Sequence, residues 1–319
     1  MIETGFEAQD FLMNTGVEQK IFGHAPHAIY GASVQKLHIL ERMMSFYKDE
    51  SEVSLLNRYA GKKAIRLSED MMFVLEQAQK FTLLSEKAFH ILLAPLVQLW
   101  KSSGTMGKIP SHNEINNTLA LCADENLTLD KIEGTAYLKK EGCMIDFGGI
   151  GKGFAADVCC DIYKELGASS AFINLGGNVK ALGNRSDGNP WSVGLHHPDK
   201  SRGNCYGAFL CSNQSVVTSG AYERYQILNG VKYHHIIDGK TGYPSKSNLK
   251  SVSVISQSSI QADALSTAAF VMGLEKGADL IYNARCTGAI FFTAANEVYL
   301  TKGMKQYFRL FERLNCYEI

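Results

Sequence analysis

Hydrophobic and polar positions along this chain recur with two different periods, and the change of period organises it. Between Ser33 and Met44, the residues Val34, Leu37, Leu40 and Met44 fall three or four apart, which puts apolar side chains on one face of a helix. The same spacing predicts a helix over 68–84, with Met72, Leu75, Ala78 and Thr82 on one face and Ser68 placed as its N-cap. Ser111-His-Asn-Glu114 has the capping-box spacing and predicts a third helix. Phe154, Val158, Ile162 and Leu166 align over 154–166, and Gly167 suits the left-handed residue that follows a helix end. A helix over 259–272 is nearly all apolar on one side.

The period changes from 171 to 255. Short β-rich runs at 171–175, 191–195, 208–211, 225–228, 233–237 and 251–255 are separated by Gly, Asn and Asp. Asn229-Gly230 predicts a tight hairpin between two of them. Residues 136–146 predict two short strands around Glu141-Gly142, the second ending at Asp146, and 289–293 with 297–300 predict a closing hairpin. No internal repeat, low-complexity stretch or linker interrupts the pattern, and strict βαβ alternation is absent. The expectation is an α+β fold, one compact domain over 1–319, of mainly antiparallel strands with flanking helices.

Composition narrows the function classes. The 319 residues are 45% apolar and 20% charged with a formal net charge of zero, so no basic face or acidic tail points to nucleic acid. No segment has the length and apolarity of a membrane span. Residues 1–10 show no basic n-region, apolar core or lipobox, which predicts a cytoplasmic protein unless the sequence has been trimmed. Eight cysteines are scattered without a C-x-x-C pair, which argues against a zinc site. Cys143, Cys159 and Cys160 sit in apolar patterns as small core residues, and free buried thiols suit a reducing compartment.

Candidate chemistry concentrates at Asp146-Phe-Gly-Gly-Ile-Gly-Lys-Gly153. An apolar run ends in Asp146, four glycines fall within residues 148–153, Lys152 stands among them, and a helical pattern opens at about Phe154. Glycines allow close backbone approach, and a helix N-terminus offers unpaired N–H groups to an anion, so the segment suits phosphate. A Walker A loop fails because Gly153 stands where Ser or Thr is required. Gly151, Gly153 and Ala156 match G-x-G-x-x-A, but Asn174-Leu-Gly-Gly-Asn178 carries no acid for a ribose. A strand-to-helix turn without a ligand accounts for the same glycines.

Other constellations have bland and sharp readings side by side. Asp263 and Thr267 share a helix face and suit a hard cation such as Mg2+, or else a dipole-favoured acid and a back-bonded hydroxyl. His234-His235 lies at a strand end, where only one of the two can face a site as a general base. His196-His197 fits a surface loop, and Thr218–Arg224 a polar turn whose Arg224 could fork a phosphate or carboxylate. Tyr47 either stacks on a flat ring or packs ordinarily, and the run from Ala88 to Trp100 fits core.

Taken in order, seven motifs resemble the FAD:protein FMN transferase family, also called the ApbE family. They are Ser51-Glu-Val-Ser-Leu-Leu-Asn57; Ala88-Phe-His90 with Pro95-Leu-Val-Gln-Leu-Trp100; Asp146 to Asp157; Asn174-Leu-Gly-Gly-Asn178; Thr218 to Arg224; His235 to Pro244; and Ala262-Asp-Ala-Leu-Ser-Thr267. They cover about 11–277, leaving 278–319 as a C-terminal hairpin and tail. The resemblance implies a flavin site in a cleft and Mg2+-dependent transfer of FMN from FAD to a Ser or Thr hydroxyl of an acceptor flavoprotein, releasing AMP. It implies Asp263, Thr267 and the Gly149 carbonyl as Mg2+ ligands. Met13, Tyr47, Ala88, Phe89, His90, Asp146, Lys152 and Ile237 match FAD-contacting positions, and His235 matches the essential histidine, read here as the base. Hydrolysis of FAD to FMN and AMP, or flavin binding without catalysis, are the alternatives.

The chain departs from the family pattern in three places. The usual M-G-T is Met13-Asn14-Thr15, the Asp of A-F-D is His90, and the Pro of H-I-x-D-P is Gly239. The expectations are altered backbone approach at Asn14, a changed nucleotide contact at His90 and a looser turn at Gly239.

Overall fold

The structure, a computed structural model, describes residues 5–201 and 203–319. Residues 1–4 of the leading segment discussed above lie outside the described residues. The chain packs into two compact units: one of residues up to Glu41, Ile150–Gly220 and Asn248–Ile319, the other of Arg42–Gly149 and Ala221–Ser247.

The first unit is built on a nine-stranded sheet. Its order is Gly5–Leu12, Thr15–Gly23, Ala168–Leu175, Asn178–Leu182, Ser215–Gly220, Leu249–Ser256, Gly288–Thr293, Val298–Leu300 and Cys316–Glu318. Every adjacent pair is antiparallel except the last, which is parallel. The strand Leu249–Ser256 is buried at almost every position, because helices pack on one side and a second sheet on the other. That second sheet has the order Phe308–Leu310, Cys205–Cys211, Trp191–His196. Trp191, Tyr206, Phe209, Ile255, Ile290 and Phe292 fill the space between the sheets. The helices Gly151–Glu165 and Ser259–Met272 pack against each other and carry small residues at their contact.

The first hairpin of this unit was not expected, and of the second only the 171–175 strand was. Met13 and Asn14 link the first two strands with φ of 52° and 59°, the left-handed pair of a type I′ turn. Asn14 adopts that left-handed conformation without being glycine. Gly176 and Gly177 link Leu175 to Asn178 with φ of 61° and 93°, and a Cβ on Gly176 would lie 2.0 Å from Thr15 Oγ1.

The second unit holds the helices Glu52–Arg58, Glu69–Leu84, Ala94–Thr105 and His112–Leu119, with a small sheet of Ile65–Arg66, Thr135–Leu138 and Leu127–Asp130. Ser68 and Ser111 cap their helices as expected, and Ser111 with Glu114 completes the capping box. Asn229-Gly230, with φ of 51° and 76°, turns the hairpin Tyr225–Leu228 to Val231–His234. Trp100 anchors a core with Leu96, Ile115 and Ile237, stacks on Tyr233 at 5.3 Å, and donates from Nε1 to the Gly242 carbonyl at 2.8 Å.

Several expected boundaries move. The first long helix is Pro26–Met44, not one beginning at Ser33. The helix after the glycine-rich turn opens at Gly151, so Lys152 and Gly153 belong to its first turn. Thr218-Ser-Gly220 closes a largely buried strand and is not a turn. The 233–237 run ends as a strand at His234, leaving Ile237 in an isolated bridge with Pro244. Only one strand forms within 136–146: Asn57 replaces the other ladder, its Nδ2 donating to Ile145 O at 3.0 Å and its Oδ1 accepting from Ile145 N at 2.8 Å. His197 is 6% exposed, stacked edge-on with Phe292, and not a surface residue.

Candidate functional site

In the first unit the candidate chemistry lies where two helices cross. Gly153 is the contact point: a Cβ there would lie 2.4 Å from the Ser259 carbonyl oxygen and 2.7 Å from Asp263 Cβ. Without a side chain, the Gly153 N–H reaches Asp263 Oδ2 at 2.8 Å. The helix has no side-chain cap at Ile150, so a carboxylate from the neighbouring helix meets one of its first-turn N–H groups.

One helical turn beyond Gly153, Asp157 holds the start of Ser259–Met272. Its carboxylate accepts N–H groups from Ser259 at 2.8 Å and Ile260 at 2.9 Å, and the Ser258 hydroxyl at 3.3 Å. Lys180, nearly buried, forms an ion pair with Asp157 and also donates to the Gln257 carbonyl at 2.9 Å. Sequence reasoning passed over Lys180, and quoted Asn178 only as the end of a motif without a role. The signal was a lysine amid the apolar Val179-Lys180-Ala181 strand, two residues from an asparagine.

Asp263 is buried at 5% exposure. Burial pushes its carboxyl pKa up, opposed by the Lys152 charge, the Gly153 N–H and Asn178. Thr267 follows one turn later on the same face, its Oγ1 3.2 Å from Ser219 Oγ, which also bonds Ser266 Oγ at 2.8 Å. No group of three or more His, Cys, Asp or Glu side chains able to hold a metal occurs among the described residues. A cation at Asp263 would therefore use hydroxyl, carbonyl, water and phosphate oxygens, the preference of Mg2+. A desolvated carboxylate with one backbone donor is what such an ion would relieve, so the residues fit it. Met13 sits in the first hairpin turn, and Gly149 is the last residue of the other unit's first segment.

The second unit brings the remaining candidates into two groups. Ala88 and Phe89 are buried, and Asp146 joins their segment through its N–H to the Ile91 carbonyl at 3.1 Å. Asp146 Oδ1 turns back to the Gly148 N–H at 2.7 Å, shaping the glycine turn. His90 accepts the Leu92 N–H at Nδ1 over 3.2 Å, which leaves Nε2–H to donate to Asp124. Asp124 also pairs with Lys87 at 2.8 Å. Burial lowers the His90 pKa, against the opposing pull of Asp124. A cavity of 390 Å³ opens here, lined by Gln79, Lys87, His90, Leu92, Asp124 and Leu127 among others. Tyr47 is exposed, with Lys101 Nζ 5.1 Å above its ring.

His235 belongs to the other group and is exposed. Its Nδ1 donates to the Arg224 carbonyl at 3.0 Å, and its backbone N–H reaches the same oxygen at 3.1 Å. The lone pair is thereby assigned to Nε2, the geometry a base requires. Ile237 is buried two residues on. The turn after it needs no proline: the Asp238 carbonyl accepts Gly242 N–H at 2.8 Å, and its Oδ1 accepts Lys240 N–H at 2.9 Å. Gly242, at φ 74°, has no room for a Cβ beside Ile115.

The structure is a mainly antiparallel α+β fold with a glycine-opened helix end set against a buried carboxylate. The ApbE family model matches residues 13–291, and the chain belongs to that family. A FAD:protein FMN transferase of Klebsiella pneumoniae is 32% identical over 290 residues, covering 91% of this chain and 90% of that protein. The ApbE protein of Thermotoga maritima superposes with a TM-score of 0.86 at 28% identity, over 95% of this chain and 99% of that one. The flavinyl transferase ApbE of Pseudomonas stutzeri gives 0.82 at 25% identity, over 96% and 97%.

Proposed function

We infer that this chain is a FAD:protein FMN transferase, carrying FMN from FAD to a Ser or Thr hydroxyl of an acceptor protein. The family match through 13–291 supports the class, and the buried Asp263 carboxylate at the Gly153 N–H is the observation that carries the chemistry. That match runs through segments of both units, which supports one transferase domain.

In the reaction the acceptor oxygen attacks the FMN phosphorus. His235 Nε2 takes the hydroxyl proton, a new P–O bond forms, and the P–O bond to AMP breaks with its electrons leaving on AMP. Asp263, Thr267 and the Gly149 carbonyl would hold Mg2+, which supplies charge neutralisation at the pyrophosphate. Lys152 adds a second positive charge beside the glycine-rich helix end. Met13, Tyr47, Ala88, Phe89, His90, Asp146 and Ile237 bind and orient the FAD. His90 stands where an acid is usual, and the adjoining Asp124 provides a carboxylate one residue contact away.

No helix of the described residues is long and apolar enough to cross a membrane. All eight cysteines are free and five are buried, which supports a reducing compartment such as the cytoplasm.

The test mixes the protein with FAD, Mg2+ and a flavin-acceptor protein, then reads in-gel flavin fluorescence. A fluorescent acceptor band with AMP in solution is expected. FMN and AMP without a band would make the protein a pyrophosphatase, and bound FAD without AMP would make it a binding protein.

A further inference from the structure

His90 uses both of its ring nitrogens inside the protein. It stands just before the short helical turn Ile91–Leu93 and accepts the Leu92 N–H at Nδ1 over 3.2 Å. The ring proton therefore sits on Nε2 and is donated to Asp124 Oδ1. An imidazole in this tautomer has one donor and one acceptor, and both are taken. The His90 side chain is 6% exposed and that of Asp124 42%, although both line the 390 Å³ cavity. A ligand entering the cavity meets the carboxylate, not the imidazole.

Asp124 is itself held from two sides. His90 Nε2 meets its Oδ1, and the Lys87 ammonium meets its Oδ2 at 2.8 Å. Lys87 comes from an unusual piece of backbone. After the helix Glu69–Leu84, Glu86 and Lys87 both take the left-handed conformation, with φ of 50° and 71°, which residues with a Cβ rarely adopt. The Lys87 N–H bonds the Thr82 carbonyl at 2.8 Å and fixes that turn. A carboxylate offers about four lone-pair sites, and these two contacts use two of them. The remaining capacity can only accept, so it selects a hydroxyl or N–H group.

We propose that Asp124 is the residue of this cavity that binds the dinucleotide, accepting a hydrogen bond from one of its hydroxyl or amino groups, and that His90 is the positioning residue of Asp124. The dinucleotide rests on the function inferred above; the arrangement of His90 and Asp124 does not.

The test measures FAD affinity by flavin fluorescence, without Mg2+ or acceptor so that nothing turns over. Asp124→Ala changes an exposed side chain and is expected to weaken FAD binding about tenfold, the loss of one charge-assisted hydrogen bond. His90→Phe is expected to weaken it similarly when Asp124 is present and by less than about twofold in the Asp124→Ala background. Competition by FMN and by AMP finds the half of FAD that carries the donor, since only that half should bind Asp124→Ala more weakly. Imidazole nitrogen-15 spectra of the free protein give a readout apart from FAD: His90 is expected in the Nε2–H form, with that proton exchanging faster in Asp124→Ala. Unchanged FAD affinity in Asp124→Ala, or an equal His90→Phe loss in both backgrounds, would overturn the proposal. If His90→Phe does not fold, the Asp124→Ala affinity and the spectrum decide. Wild type that binds no FAD would remove the inferred function and this ligand with it, and the spectrum alone would then decide whether His90 is committed to Asp124.

Discussion

Asp157 and Asp263 stand on neighbouring helices of one crossing, yet their surroundings are opposite. Asp157 has two backbone N–H donors, a serine hydroxyl and the Lys180 ammonium. Asp263 is more deeply buried and has one backbone N–H, with the Lys152 charge and an asparagine amide acting on it. The residue type is the same, but the bonding differs. The first acid is complete and holds a helix end in place. The second makes one backbone hydrogen bond in a more deeply buried place, where desolvation raises its pKa.

That contrast can be broken from either side. Asp157→Ala leaves Lys180 buried without its anion and two helix N–H groups unmet. A loss of about 3–5 kcal/mol of stability is expected in chemical denaturation. A loss below about 1 kcal/mol would mean Asp157 is not the clamp. Asp263→Asn should do the reverse: stability equal to or above wild type, with FMN transfer reduced about 10²–10³-fold. A variant both stable and fully active would remove Asp263 from the chemistry.

The pH dependence sharpens the comparison. Burial raises the Asp263 carboxyl above its usual 3.8, so the native protein binds that proton more tightly than the unfolded chain. Between 3.8 and the raised value, stability conferred at this site falls as pH rises. Asp263→Asn should lack that slope, its advantage over wild type vanishing as pH falls towards 3.8; parallel stability curves would contradict it.

Two smaller effects complete the series. Thr267→Val keeps the shape but removes the hydroxyl, and about tenfold weaker Mg2+ dependence is expected in a transfer assay; an unchanged titration would exclude Thr267 as a ligand. Trp100→Phe loses the bond to the Gly242 carbonyl, and about 1 kcal/mol of stability is expected to go with it in denaturant melts.

Local physics was legible before the fold. Ser68, Ser111, Gly167 and Asn229-Gly230 mark their caps and turns through contacts within a few residues, and each stands where the pattern placed it. Long-range substitutions were not. Asn57 satisfies the backbone of Ile145 across 88 residues, so the expected second strand never needs a ladder. His197 is covered by Phe292, and Glu312 in the tail lies 3.7 Å from its Nε2; nothing near it in sequence announces either. The first hairpin was missed because its opening strand lies at the sheet edge with mostly polar or exposed positions, which blurs the alternation. At the site, the i, i+4 pair of Asp263 and Thr267 was visible from spacing. The asymmetry between Asp157 and Asp263 was not, because Lys180 and Asn178 come from a strand that joins the helices only in three dimensions.

The most direct test is an anomalous difference map from a crystal soaked with Mn2+ and FAD. The expected result is a peak about 2.1 Å from an Asp263 carboxylate oxygen, with the flavin's pyrophosphate against it. A well-bound flavin with no peak at Asp263, or a metal held elsewhere, would contradict the account.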